Sequence, residues 1–444
     1  MPSSENKTDE FSRRALRYAA FYGGKVAVTP KVPITTLDDF SVWYTPGVAA
    51  VSSAIAKDKD LVFDYTNRWN TIAVVTDGSR VLGLGDIGPE ASLPVMEGKA
   101  LIYKHLGGVD AVPVPIRVTS EEDFIAIVKA LEPAFGGINL EDIASPKCFG
   151  ILERLRAEMN IPVWHDDQQG TAGVILAALY NALEVTGRKL EEARIVLFGS
   201  GAANLAATRL LIEAGAPARD LLLVDSKGIV YSERQDMDQL SHTNRWKYEM
   251  ALKTNADKVS GGLADALEGA DVLIAASLPG PNVIKKQDIA LMNKDPVTFL
   301  LANPVPEMWP ADAKQAGAAV IATGRSDFPN QVNNSLLFPA VFRGALDVRA
   351  KTISDTMVIS ASKELASYSR EKGLTDENII PTMLDPDVFP RVAAVIGEQA
   401  QREGLARKRL SRSELLERER SIIETSRKAL RVLVENGVIP KMPS

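Results

Sequence analysis

The fold is decided by a stretch that begins Gly-Gly-Ile-Asn-Leu-Glu-Asp (136–142) and ends Ile-Pro-Val-Trp-His-Asp-Asp-Gln-Gln-Gly-Thr-Ala (161–172). The short apolar runs 138–140 and 161–164 each read as a β-strand, and residues 145–160 between them read as a helix. A strand, helix, strand unit builds a parallel sheet and brings the loops after its strands to one sheet edge. The stretch therefore predicts an α/β fold.

A pair of acids follows each of these strands directly: Glu141 and Asp142 after the first, Asp166 and Asp167 after the second. Four carboxylates at one edge would repel each other unless a cation lay among them, and hard oxygen ligands suit Mg²⁺ or Mn²⁺. Two solvated acidic loops are the alternative, since paired acids are common on surfaces. The helix start at residues 170–172 and the nucleotide-binding pattern downstream favour the metal site.

That pattern is Arg-Ile-Val-Leu-Phe-Gly-Ser-Gly-Ala-Ala-Asn (194–204), which reads as a strand, a glycine turn and a helix start. The next strand ends at Asp225. This order is the dinucleotide fingerprint, in which the pyrophosphate lies on the helix N-terminus and the acid faces the adenosine ribose. Asn204 replaces the usual third glycine, and we expect it to loosen the packing of helix against strand. Ser226 and Lys227 follow Asp225 directly. If the adenosine ribose carries a 2′-phosphate, these two residues could hold it instead of Asp225 accepting the ribose hydroxyls.

Three more strands, at 272–276, 298–302 and 319–322, alternate with helical segments. Ser277 and Asn303 follow the first two, where open parallel sheets bind ligands. The amide-rich loop 324–334, which ends at Asn334, could bind a carboxylate or carboxamide, although polar loops of this kind are ordinarily only loops. The candidate cofactor-binding residues are Gly199, Gly201, Ala202, Ala203, Asn204, Asp225, Ser226, Lys227, Ser277 and Asn303.

The predicted organisation has three parts: an α/β catalytic and substrate domain at 1–164, a Rossmann-type dinucleotide-binding domain at 165–346, and a helical extension at 347–444. The charged amphipathic segment 410–436 in the extension is typical of a packing helix or an oligomer contact.

Two further side chains are candidates for proton transfer. Pro46 and Gly47 fix a turn after Tyr44, whose phenol is a candidate proton donor if it is buried there, although such a tyrosine more often only packs its ring. Pro94 reads as the opening of an apolar helix, which places Lys99 near the helix start. There the helix dipole would lower the lysine pKa and favour a base, whereas a solvated surface lysine is the alternative.

Composition limits the possible partners and the compartment. The 444 residues suggest about two to three domains. Lys and Arg total 51 against 57 Asp and Glu, a formal charge of −6, which argues against nucleic-acid or anionic-membrane partners. The single cysteine, Cys148, fits a reducing compartment. No apolar run is long enough for a membrane span and the start is not a signal peptide, so we expect a cytoplasmic location.

Five motifs taken together strongly resemble the malic enzymes, and most closely their short bacterial and archaeal form. They are Tyr-Thr-Pro-Gly-Val (44–48), Val-Thr-Asp-Gly-Ser-Arg-Val-Leu-Gly-Leu-Gly-Asp-Ile-Gly (75–88), Met-Glu-Gly-Lys (96–99), Phe-Gly-Gly-Ile-Asn-Leu-Glu-Asp (135–142) and His-Asp-Asp-Gln-Gln-Gly-Thr-Ala (165–172). The similarity covers residues 18–347. It implies oxidative decarboxylation of (S)-malate to pyruvate and CO₂ with NAD or NADP and a divalent metal.

The resemblance also implies residue roles. Glu141, Asp142 and Asp167 would be metal ligands. Asp166, a close neighbour of these ligands, would be a catalytic residue, Lys99 would be the base and Tyr44 would be the acid. The positions that hold malate carboxylates or the nearby nicotinamide are matched by Arg80, Asn303 and Asn334.

Several alternatives stay open at this stage. A redox-neutral malate or oxaloacetate decarboxylase would use the same metal and nucleotide, although Lys99 and Tyr44 favour the full reaction. A catalytically silent nucleotide-binding regulator would not need the complete acidic centre. Asp225 favours NAD while Ser226 and Lys227 favour NADP, and we lean slightly to NADP. The expected partners are malate and a second copy of the chain, in a homodimer or higher homo-oligomer.

Overall fold

Two sheets of mostly parallel strands organise the chain, which this computed structural model describes over residues 4–443, with side chains from residue 9 onward. The strands are β1 Thr71–Thr76, β2 Asp110–Pro115, β3 Gly137–Leu140, β4 Val163–His165, β5 Ile195–Phe198, β6 Leu221–Asp225, β7 Gly228–Ile229, β8 Val272–Ala275, β9 Val297–Leu300 and β10 Val320–Thr323.

The first sheet has the order β2-β1-β3-β4 and is parallel throughout. The second has the order β10-β9-β8-β5-β6-β7, in which only the short β7 runs antiparallel. Its strand order reverses at β5, which pairs with both β6 and β8. In a doubly wound sheet the ligand crevice lies outside the carboxyl ends of the strands at this reversal. The predicted α/β class with a Rossmann-type sheet is confirmed.

Eighteen α-helices surround the sheets within residues 4–443. In chain order, α1 to α18 span Ser4–Tyr22, Leu37–Trp43, Gly47–Lys57, Val62–Tyr65, Gly88–Gly107, Glu121–Leu131, Lys147–Glu158, Thr171–Val185, Ala202–Glu213, Met237–Thr243, Arg245–Lys253, Leu263–Leu267, Lys286–Ile289, Pro310–Gln315, Phe338–Asp347, Asp355–Glu371, Val388–Arg402 and Arg412–Glu435. None is long and apolar enough to cross a membrane, over the residues for which a structure is described.

The central helix α8 joins the two sheets. It is apolar on nearly every side and almost all of it is buried, as expected of a helix inside a core. Gly173 lets it approach its neighbours, since a Cβ there would lie 2.4 Å from the Leu337 side chain. The hydroxyl of Ser362 on α16 donates to the Gly173 carbonyl at 2.8 Å. The C-terminal helices thus pack on the body of the protein, while the domain boundaries at 164 and 346 stay predictions.

The core has two parts, divided by the second sheet. Alternate residues of its strands face opposite sides, so Ile195 and Leu197 join the large core shared with the first sheet, and Val196 joins a smaller core.

The N-terminal segment differs from both cores, because residues 9–58 contain no buried side chain. Its apolar residues are partly or fully exposed, including Phe40 and Trp43.

Candidate active site

The acids that follow β3 and β4 meet because these strands are adjacent and parallel. Glu141, Asp142 and Asp167 each offer a carboxylate oxygen, and the three oxygens lie within 4.8 Å of one another. The Asp142 backbone N–H donates to Asp167 Oδ2 at 2.9 Å. Asp142 itself has a positive φ of 54°, which turns the chain sharply after β3. The structure therefore brings the three predicted metal ligands together.

The electrostatics of this cluster suit a cation. Burial, followed by the charge of Asp167, raises the pKa of Asp142 to about 7. Asp142 Oδ2 is buried and has no hydrogen-bond partner within the described part of the chain, which is a costly arrangement for a carboxylate oxygen unless another group satisfies it. Three converging hard oxygens with one unpartnered fit Mg²⁺ or Mn²⁺. This donor set agrees with the metal that the resemblance implies.

Lys99 and Asp166 form the buried ion pair next to this cluster. The Lys99 ammonium donates to Asp166 Oδ2 and lies 2.9 Å from Glu141 Oε1. Trp164 Nε1 donates to Asp166 Oδ1 at 3.0 Å, so both oxygens of that carboxylate are engaged. Burial alone would lower the pKa of Lys99, but the carboxylates of Asp166 and Glu141 outweigh it and hold that pKa above its ordinary value.

The predicted position of Lys99 in its helix is wrong. Helix α5 begins at Gly88, with Pro89 in its first turn, and continues past Pro94, so Lys99 lies in its middle. The dipole of a helix acts mainly within its terminal turns and cannot lower the pKa of a residue this far inside. The charge state of Lys99 is set by its carboxylate partners, not by the helix terminus.

Helix α5 also supplies Tyr103, which our sequence reasoning missed. Its hydroxyl donates to Asn139 Oδ1 at 2.8 Å, and Asn139 Nδ2 donates to Glu141 Oε2 at 2.9 Å. All three side chains are buried. The available signals were the four-residue spacing from Lys99 to Tyr103, which puts both on one helix face, and a polar residue in the apolar run of β3.

Three predicted substrate and proton-transfer residues differ in how far their side chains are exposed to solvent. Asn334 lies beside the π-helical turn Asp166–Gly170, since a Cβ on Gly170 would be 3.2 Å from Asn334 Cβ. The Arg80 backbone N–H donates to the Asp142 carbonyl at 3.0 Å, while the Arg80 side chain is exposed. Tyr44 is 72% exposed at the C-terminal end of α2. The burial that would favour this phenol as a proton donor is therefore not met in a single chain.

The dinucleotide turn lies at the carboxyl end of β5. Gly199 has a φ of 94°, and a Cβ there would lie 2.4 Å from the Ala276 carbonyl oxygen, so only glycine fits. Gly201 precedes helix α9, which begins with Ala202 and Ala203. Asn204 donates to the carbonyls of Phe198 and Gly199 at 2.9 and 2.8 Å. It binds the helix to the strand, and the expected loosening is wrong.

Asp225 at the end of β6 is enclosed by cations. Arg234 makes two hydrogen bonds to its carboxylate, each 2.9 Å, and Lys247 Nζ lies 3.1 Å from Oδ2. Lys227 is exposed and pairs with Asp236 at 3.0 Å, and Ser226 is exposed beside it. Burial would raise the pKa of Asp225, but hydrogen bonds from Arg234 and the Lys227 backbone hold it below the usual value. Arg234 and Lys247 carried no sequence signal, because loops and helices bring them in from a distance.

Ser277 and Asn303 lie on the loops after β8 and β9, which the buried Glu307 ties together. Its carboxylate accepts from the backbone N–H groups of Ser277 and Ala302 at 2.8 and 3.1 Å. A Cβ on Gly83 would lie 2.9 Å from the Asn303 carbonyl oxygen, so the loop after β1 touches the loop after β9. The acidic cluster and the nucleotide crevice are therefore neighbours.

Comparisons with known proteins agree with this geometry. The family model "Malic enzyme, NAD binding domain" matches residues 168–401, and "Malic enzyme, N-terminal domain" matches 23–123 and 118–156. The NAD-dependent malic enzyme of Geobacillus stearothermophilus is 47% identical over 386 residues, which cover 87% of this chain and 78% of that protein. The NADP-dependent malic enzyme of Halomonas elongata is 41% identical over 417 residues, which cover 90% and 96%.

The crystal structure of the Entamoeba histolytica malic enzyme superposes with a TM-score of 0.96 at 41% identity and covers 100% of this chain and 94% of that one. The matched residues include Lys99, Glu141, Asp142 and the dinucleotide turn, while Asp166 and Asp167 lie between the two matched ranges. The chain belongs to the malic enzyme family.

Proposed function

We propose that the protein catalyses oxidative decarboxylation of (S)-malate to pyruvate and CO₂ with reduction of NAD(P)⁺. The observation that carries this proposal is the convergence of Glu141, Asp142 and Asp167 within 4.8 Å, beside the Lys99–Asp166 pair. Family membership supports the same reaction. The three carboxylates would hold Mg²⁺ or Mn²⁺, which supplies Lewis-acid polarisation of the malate oxygens, while the dinucleotide accepts the hydride.

The residues of this chain would then move protons and hold the substrate. Lys99 would take the proton of the C2 hydroxyl as its neutral amine, and Asp166 orients the lysine through the contact between Nζ and Oδ2. Glu141 is both a proposed ligand and an ion-pair partner of Lys99, so metal ligation weakens one of the contacts that raise the lysine pKa. Arg80, Asn303 and Asn334 hold the malate carboxylates and the nicotinamide in reacting geometry. When the C3–C4 bond breaks and C4 leaves as CO₂, the resulting enolpyruvate must gain a proton at C3. Tyr44 would donate it, although its phenol is exposed in a single chain.

The test measures both products at once. Purified protein with (S)-malate, Mn²⁺ and either cofactor is expected to form reduced cofactor and pyruvate in equal amounts, and chelation of the metal should stop both. Lactate without reduced cofactor would contradict the proposal. Metal-independent turnover would contradict the role of the three carboxylates.

We further infer that NADP is the preferred cofactor. Arg234 and Lys247 occupy both oxygens of Asp225, so few acceptors are left for ribose hydroxyls. The same cations, with the exposed Lys227, offer positive charge to a 2′-phosphate. The measurement is the ratio of kcat/KM for NADP⁺ to that for NAD⁺ at fixed malate, expected above one, and a ratio below one would refute the preference.

A second copy of the chain is the proposed cover of the N-terminal segment. Helix α3 reads Gly-Val-Ala-Ala-Val-Ser-Ser-Ala-Ile-Ala-Lys, yet none of its side chains is buried, and Trp43 and Tyr44 just before it are exposed too. An apolar patch of this kind marks an interface. Light scattering is expected to give a dimer or larger oligomer, and Val48→Asp to give a smaller species. A monomeric wild-type protein would exclude the interface.

We also infer a cytoplasmic location, supported by a single cysteine, Cys148, that is buried as a free thiol. Fractionation of cells that express the full chain tests it.

A further inference from the structure

The face of α5 that points to the acidic cluster carries two functional groups, one turn apart. Lys99 Nζ lies 4.3 Å from the centre of the Phe338 ring, and the Tyr103 ring centre lies 4.6 Å from that same ring. The Tyr103 ring also makes an edge contact with Phe342 at 5.6 Å. Both side chains are therefore wedged between α5 and α15, which leaves them little rotational freedom.

The direction of hydrogen bonding from Tyr103 towards the cluster is fixed by chemistry. The carboxylate of Glu141 can only accept when ionised, so the Asn139 group facing it is the amide nitrogen, at 2.9 Å. The Asn139 amide oxygen must then point to Tyr103, whose hydroxyl donates to it at 2.8 Å. A reversed amide would put its oxygen against the carboxylate and leave its nitrogen against the tyrosine hydroxyl.

Among the side chains that the structure describes, only Lys99 and Asn139 contact the Glu141 carboxylate through a hydrogen bond or ion pair. Its Oε1 faces Lys99 at 2.9 Å and its Oε2 accepts from Asn139. Outer groups that hydrogen-bond a metal-ligating carboxylate hold its oxygens in ligating geometry and affect metal affinity. Tyr103 sets the Asn139 amide, and that amide sets the Glu141 carboxylate.

We propose that Tyr103 is a positioning residue for the divalent-metal site, acting through Asn139 on the Glu141 carboxylate. The inference rests on the proposed metal-binding function and extends it beyond the carboxylates themselves. It differs from the simpler view that Tyr103 is a core residue whose hydroxyl merely has a partner. In that view its removal costs stability but leaves metal affinity unchanged.

The test is a Mn²⁺ titration followed by electron paramagnetic resonance, which counts free Mn²⁺ without turnover. Tyr103→Phe is expected to raise the Mn²⁺ Kd by roughly tenfold, at the lower end of the effects measured for outer-shell groups. Tyr180→Phe is the matched control, because the Tyr180 hydroxyl is also buried but makes no hydrogen bond. It should leave the Kd unchanged.

A double variant tests the route through Asn139. Asn139→Leu keeps the branched shape of the side chain and removes its hydrogen bonds with Tyr103 and Glu141, so it should weaken Mn²⁺ binding at least as much as Tyr103→Phe. Adding Tyr103→Phe to Asn139→Leu should then change the Kd by less than about twofold, since a residue that acts only through another has no separate effect.

The outcomes separate the two proposals. A wild-type protein that binds no Mn²⁺ would overturn the metal site itself. Wild-type binding with an unchanged Kd in Tyr103→Phe, or equal effects of Tyr103→Phe with and without Asn139, would overturn only the positioning role. Thermal unfolding of each metal-free variant shows whether a change in Kd merely follows a loss of stability.

Discussion

Asp142 and Asp225 lie at equivalent places in the two sheets, yet their environments are opposite. Asp142 follows β3 and Asp225 is the last residue of β6, so each lies at the carboxyl edge of its sheet. The acids around Asp142, chiefly Asp167, add to burial and raise its pKa to about 7. Arg234 and Lys247 surround Asp225, and its pKa is below the usual value. The edge position indicates where a ligand binds, while the neighbouring charges indicate which charge that ligand carries.

The largest expected effect on this contrast between the two sites comes from substitution of Lys99. In the described part of the chain, Lys99 is the only cation paired with the acids of the first site. Lys99→Ala should lower kcat by about 10² to 10⁴, the usual contribution of a general base. Lys104→Ala is the control, since this exposed lysine lies on the same helix and pairs with Asp110. Steady-state rates with malate measure both, and a loss of less than tenfold for Lys99→Ala would remove its role as base.

Asp167→Asn should have the next largest effect, about a 100-fold rise in the Mn²⁺ Kd, because it removes a charged ligand at a partly exposed position. The metal-free protein should be equally or more stable, since the charge removed repels Asp142. Calorimetry and thermal unfolding measure the two quantities.

Asp225→Asn is the corresponding substitution in the second sheet, and its effect on metal affinity should differ from that of Asp167→Asn. It should leave the Mn²⁺ Kd unchanged, because the Asp225 charge is balanced by Arg234 and belongs to the other sheet. An equal loss of metal affinity in both variants would mean that the two edges do not select ligands by local charge.

At the second edge, Lys227→Ala should raise the KM for NADP⁺ roughly tenfold, the cost of one charge-assisted hydrogen bond. The KM for NAD⁺ should stay unchanged, since it lacks the 2′-phosphate. Lys253→Ala, which removes an exposed lysine at the far end of α11, controls for net charge. Parallel losses for both cofactors would place Lys227 outside the 2′-phosphate site.

The smallest expected effect is the release of about one proton from Asp142 on metal binding near pH 6, where this carboxyl is still protonated. Its pKa is higher in the folded chain than the ordinary 3.8, so the folded state binds the extra proton between about pH 4 and 7. The contribution of Asp142 to stability is therefore full below this window and is lost as pH rises through it. Calorimetry in buffers of different ionisation enthalpy should detect the release at pH 6 and little of it at pH 8.5.

The local sequence pattern was sufficient to predict that these acids meet, and insufficient to predict the residues around them. The runs before Glu141 and Asp166 are short strands joined by one helix, and parallel pairing then leaves no choice about where the acids meet. Pro94 suggests a helix start and so gives the wrong position for Lys99, because α5 begins earlier, at Gly88. Arg234 and Lys247 reach Asp225 only through tertiary packing, and the exposure of Tyr44 depends on what covers the N-terminal segment.

The asparagine in the dinucleotide turn bears on how such turns are recognised in other chains. Asn204 reaches three carbonyl oxygens from beneath the turn, those of Phe198, Gly199 and, at 3.4 Å, Ile274. Replacing Asn204 with the usual glycine would remove the amide that donates to these carbonyl oxygens. The loss of these hydrogen bonds costs free energy. A sequence search that requires a small residue at this position would miss dinucleotide turns that are stabilised by a side-chain amide.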